Sequence, residues 1–178
     1  MSPTILFHTI CGLVALAAGA IVVGARKGTL FHRVTGWIYV GSMALLCGTS
    51  FLIYELFKSF GPFHAAAIVS SLSIVGGIAA PLLRSRLGDA WLEAHYKFML
   101  WSYVGLVMAT GSHFFEVLGP WFSRATPLNA IGSLIATVIV CWILPLAVGG
   151  ALIYGRKSAI LARVQSRMEE RRSRAVSE

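Results

Sequence analysis

Apolar residues run in five long blocks, at roughly 4–25, 34–57, 62–83, 96–118 and 128–154. Each reaches the roughly 20 residues that a helix needs to cross the hydrocarbon core of a bilayer. None breaks into the short alternating segments of a membrane barrel. The pattern therefore predicts an all-α integral membrane bundle of about five transmembrane helices. The polar connections are short, so successive helices are expected to be antiparallel neighbours.

The polar positions also set an orientation. Thirteen of the fifteen basic residues are Arg26, Lys27, Arg33, Arg84, Arg86, Lys97 and the tail group Arg156, Lys157, Arg163, Arg167, Arg171, Arg172 and Arg174. Only Lys58 and Arg124 lie at the opposite ends of the blocks. Cytoplasmic connections carry the excess of Lys and Arg, so the amino terminus is expected outside and the basic tail inside. The first block is not read as a cleaved leader, because no positive residue precedes it and Arg26 and Lys27 follow it. The expected location is a bacterial cytoplasmic (inner) membrane.

Two parts are expected: a transmembrane helical domain over 1–155 and a basic tail over 156–178. Within the tail, Ile160, Leu161, Val164 and Met168 recur at helical spacing with arginines between them. That pattern predicts an amphipathic helix lying on the anionic inner leaflet. Pro145 is expected to kink the fifth helix. Gly12, Gly19, Gly36, Gly41, Gly48, Gly76, Gly77, Gly105 and Ala109 are expected to let helices approach closely.

Composition agrees with this picture. Hydrophobic residues make up 57% of the chain and charged residues 12%, about half the usual charged share of roughly 25%. The net charge of +8 is segregated by side of the membrane, so no nucleic-acid partner is expected. Cys11, Cys47 and Cys141 are widely spaced inside apolar blocks and read as small core residues. Ser70, Ser71 and Ser73 have no triad partner in sequence and are expected to bond backbone carbonyls.

The five histidines carry the candidate chemistry. Ionisable side chains in membrane spans are costly and mark functional sites. By block position, His8, His64 and His113 lie near the outer surface, and His32 and His95 near the inner surface. Two neutral imidazoles from different helices suit a haem iron. His8 with His64 would serve an outer haem b, and His32 with His95 an inner one, with Arg33 beside the propionates. His95 and His113 are 18 residues apart, which is five whole turns, so one helix face could offer a ligand at each level about 27 Å apart. An alternative is a zinc or copper site at the outer surface from His8, His64, His113 and Glu116. That site would suit a metal-dependent enzyme or an assembly factor, with Glu55 or Glu116 as its base. A cofactor-free structural membrane protein is the third reading.

The run Lys27-Gly28, His32-Arg33, Gly36 and Tyr39 is distinctive, as is His95-Tyr96, Met99, Ser102-Tyr103 and Leu106. With His8 before Gly12 and Gly19, and Phe63-His64 opening the third block, these resemble the bacterial family called domain of unknown function 2306. The resemblance covers about residues 5–118. It implies a small membrane protein with His8, His32, His64 and His95 as its motif histidines, and no settled activity. The pattern is also similar in architecture to transmembrane b-type cytochromes. The leading expectation is a membrane-embedded haem protein acting as an electron carrier or oxidoreductase. It would need no catalytic acid or base. Its partners would be the lipid bilayer, an unidentified electron donor and an unidentified acceptor, with self-association permitted.

Overall fold

A computed structural model of the chain describes residues 2–53 and 59–177. Glu55 and Lys58, singled out above, lie outside the described residues. The described chain is helical, with no strand among these residues. The helices are α1 (Pro3–Gly24), α2 (Leu30–Ser50), α3 (Pro62–Leu82), the short α4 (Arg84–Leu87), α5 (Ala90–Ser112), α6 (Phe115–Ala125), α7 (Ala130–Val138) and α8 (Leu144–Ser177). A π-helical turn over Ile139–Ile143 joins α7 to α8.

Local chemistry sets the ends of these helices. Ser2 caps α1 by accepting the Ile5 N–H, and Pro3 opens the helix where its missing N–H costs nothing. Lys27 closes α1 from below: its Nζ donates to the carbonyls of Val22 (2.7 Å) and Val23 (2.8 Å). Burial pushes its ammonium below the usual lysine range. Gly28 has φ +77°, which a residue with a Cβ resists. It turns the chain so that Thr29 can cap α2, accepting the N–H of His32 at 3.1 Å. The Lys27-Gly28-Thr29 turn thus places His32 in the first turn of α2.

Four helices close a ring. α1 packs on α2, α2 on α3, α3 on α5, and α5 back on α1. The diagonals of the ring are therefore α1 with α3 and α2 with α5. The interior is filled by Ala15, Ala18, Tyr39, Met43, Cys47, Ala67, Ile74 and Leu106. Tyr39 and Met43 are each only 1% exposed. The Tyr39 hydroxyl bonds the Ser102 hydroxyl at 2.8 Å, directly across the α2–α5 diagonal. A side chain at Gly19 would collide with the Tyr103 ring, and one at Gly77 with Met99. Those two glycines do serve close packing, as the sequence pattern suggested, whereas Gly36, Gly41 and Gly48 face open space or a loose contact.

The outside of the bundle is apolar. Leu72 is 65% exposed, Val75 62% and Ile131 69%. Apolar surface so extensive is stable only against lipid or another protein. Pro3–Gly24, Phe63–Leu82 and Ala130–Glu170 are long and apolar enough to cross a membrane by length and composition. α2 and α5, of 21 and 23 residues, are less apolar because they carry the polar groups of the interior and, on α5, Glu93 and Lys97.

The elements depart from the expected blocks at three places. The fourth block is not one helix over 96–118: α5 begins earlier, at Ala90, and ends at Ser112, and α6 follows after a break at His113 and Phe114. The amphipathic α6 presents Val117 and Trp121 outward and packs against α7. In the fifth helix, Pro145 follows a π turn over Ile139–Ile143. The proline has no N–H for the carbonyl of Cys141, and the π turn just before it absorbs the mismatch. Finally, no helix end falls at 155/156: the helix runs unbroken to Ser177. Ile160 and Leu161 pack toward Tyr96 and Ile153. The Tyr96 hydroxyl donates to the Ile153 carbonyl at 2.9 Å. Glu93 holds Lys97 (2.6 Å) and Lys157 (2.8 Å) together.

Candidate functional site

The inner pair is brought together. His32 on α2 and His95 on α5 stand on diagonal helices of the ring, within electrostatic range of each other. Each ring is anchored on one side to a backbone carbonyl. His95 Nδ1 donates to the Gly77 carbonyl of α3 at 2.7 Å. The His32 ring donates to the Val22 carbonyl of α1. The second nitrogen of His32, Nδ1, is buried with no hydrogen-bond partner among the described residues. A buried unpaired polar atom demands an explanation. Fixing one imidazole nitrogen by an outside acceptor leaves the other as a lone-pair donor, which is how metal-ligating histidines are held. Lys27 is the stronger basic neighbour of His32. Arg33, expected beside the propionates, is exposed.

The outer level is arranged differently from the expectation. His8 lies within electrostatic range of His113, at the end of α5. Its Nδ1 bonds the Thr49 hydroxyl at 2.9 Å. The Thr49 hydrogen is given to the carbonyls of Leu45 and Leu46, so the His8 ring is the donor and its Nε2 carries the lone pair. His64 is used otherwise. It is 3% exposed, its Nδ1 accepts the Gly61 N–H at 3.1 Å, and it stacks on Phe60 at 5.2 Å. The sequence Gly61-Pro62-Phe63-His64 is thus a helix start, with the third helical residue reaching back to the capping residue. An Nδ1 that accepts leaves the proton on Nε2, so neutral His64 has no lone pair there for iron.

The outer metal cluster is not assembled. Among the described residues no group of three or more His, Cys, Asp or Glu side chains is placed to hold a metal ion. The helix break explains this: Glu116 sits on α6, not one turn further along the helix of His113, and both are exposed. Cys11, Cys47 and Cys141 are free and buried. Ser71 and Ser73 bond the carbonyls of Ala67 and Val69, as their positions suggested.

Between the two histidine levels the interior is closely packed and apolar. Ala15 (0% exposed), Ile74 (4%), Met43 (1%) and Leu106 (3%) form an apolar layer. Water seldom enters closely packed apolar space. Nearer the inner pair lie Tyr39, Ser102 and Tyr103. Their signal is the seven-residue step from His32 to Tyr39 and from His95 to Ser102, two turns along the same helix face.

No curated protein and no solved structure matches the chain. A family model does match, over residues 5–153, which carries the likeness through the fifth apolar block and beyond the first four. The chain belongs to the family described as "Predicted membrane protein (DUF2306)".

Proposed function

We propose that this is a bacterial inner-membrane protein of five spans, α1, α2, α3, α5 and the helix from Ala130, with its amino terminus outside and its basic end in the cytoplasm. At 1.5 Å per residue α2 and α5 reach about 32 and 35 Å, enough for a core of roughly 30 Å. We further propose that it is a b-type haem protein that carries electrons across the bilayer. The observation that carries this reading is the His32–His95 pair. Two imidazoles from diagonal helices, each tied to a backbone carbonyl, leave one lone pair apiece, and the free nitrogen of His32 is buried.

The donor set discriminates between metals. Two nitrogens are too few for zinc, which takes three or four protein ligands. They suffice for a haem iron, whose porphyrin supplies the remaining donors and whose chemistry is one-electron exchange. Gly77 and Val22 would orient the inner ligands. His8, oriented by Thr49, and His113 are the better outer pair, in place of His8 and His64. The apolar layer between the levels favours electrons over protons as the traffic, because a proton path needs water or a continuous polar chain. The test is the reduced-minus-oxidised absorption spectrum of protein purified from haem-replete cells. Low-spin b-type bands with about two haems per chain are expected. A colourless protein would end the haem reading and leave only the membrane bundle.

A further inference from the structure

A second site lies on the outer half of the bundle. A cleft of about 310 Å³ opens between α1, α5, α6 and the fifth helix. Leu16, Val107 and Val140 form its sides, and Phe114 and Leu118 roof it from the α6 end. Its polar groups are few. Thr110 gives its hydroxyl hydrogen to the Leu106 carbonyl at 2.8 Å, so its oxygen can only accept. Cys141 offers a carbonyl in the π turn, and Pro145 has no N–H to return to it. A side chain at Gly111 would meet that carbonyl at 2.9 Å, so only glycine lets α5 lie against the turn here. Such π turns are frequent at ligand sites.

These features select an occupant. Among the described residues no charged side chain lines the cleft, so a phospholipid phosphate finds no counter-charge. A bare acyl chain would leave the two acceptors unused. The volume is at the low end of small-molecule sites and fits one ring, with a tail left in lipid. Both polar groups accept, so the ring must donate. We propose that this cleft binds the hydroxylated head of a lipid-soluble quinol, entering sideways from the membrane. Its lining residues Gly111 and Phe114 flank His113 in the chain. As the source of electrons for the protein, the quinol rests on the haem reading; as a ligand, it does not.

The test uses the full-length protein in nanodiscs, kept anaerobic, with decylubiquinol and decylubiquinone as probes and binding measured by microscale thermophoresis. Saturable binding of the quinol is expected, with the quinone several-fold weaker. Val140→Trp fills the cleft from a lipid-facing position that is 41% exposed, and should weaken quinol binding by about tenfold or more. Thr110→Val removes one acceptor and should weaken it about fivefold. Unsaturable uptake, equal affinity in the Val140→Trp protein, or equal affinity for the two redox forms overturns the proposal. So does competition by phospholipid alone. Because binding is the readout, a colourless protein that still binds quinol separates this site from the haem reading, and a coloured protein that does not bind refutes the site alone.

Discussion

Replacing His95 by alanine should halve the haem content, from about two per chain to about one, and the loss should fall on the inner centre. The reasoning runs through the hydrogen bonds. His95 is held by the Gly77 carbonyl, and its loss leaves the inner centre one imidazole short. His32→Ala should give the same loss, because either vacancy leaves a five-coordinate iron that is readily lost. His8→Ala should remove the outer centre and spare the inner one. His64→Ala should keep both haems. It should instead destabilise the start of α3 by about 1 kcal/mol, the usual cost of a lost cap. Haem quantification and thermal unfolding, done on the same four proteins, separate these roles. Haem loss in His64→Ala with retention in His8→Ala would reverse the outer assignment.

The second large effect is mechanical. Gly111→Val should destabilise the bundle by roughly 2–3 kcal/mol, as overpacking does. Its Cβ would approach the Cys141 carbonyl oxygen at 2.9 Å and the Cys141 Cα at 3.3 Å. Both are backbone atoms in a helix, so neither can swing aside as a side chain could. The seam between α5 and the fifth helix would have to open, and the Trp142 to Ser112 hydrogen bond at 2.9 Å would be strained with it. Gly41→Ala is the control. Nothing lies within 4 Å of its added methyl, and alanine favours helix over glycine by about 1 kcal/mol. Unfolding in mixed detergent micelles should show a large loss for the first variant and none for the second.

Much of the bundle was legible in the sequence because lipid is a strict solvent. A span must be a long apolar helix, so the blocks map onto α1, α2, α3, α5 and the helix from Ala130. Short connections then fix depth, which is why counting from helix ends was enough to put His32 and His95 together. Other features were hidden for identifiable reasons. α6 lies inside an apolar block, and only the break at His113 and Phe114 separates it from α5. The tail was divided from the fifth helix because charge rises at Arg156, yet Arg, Ala, Glu and Met sustain a helix without interruption. His64 was misjudged because depth was considered and capping was not; Gly61 and Pro62 were the clue. The Gly77 and Val22 carbonyls that set the imidazole tautomers come from other helices, and no local pattern announces them.

The central claim is that His32 and His95 together hold one buried iron. Electron paramagnetic resonance on the oxidised protein, with spin-echo detection of ligand nitrogens, addresses it most directly. The account predicts two low-spin ferric centres, each coupled to two imidazole nitrogens, and the same one of them is lost in His32→Ala and in His95→Ala. A spectrum without low-spin ferric iron, or one unchanged by both substitutions, would contradict it.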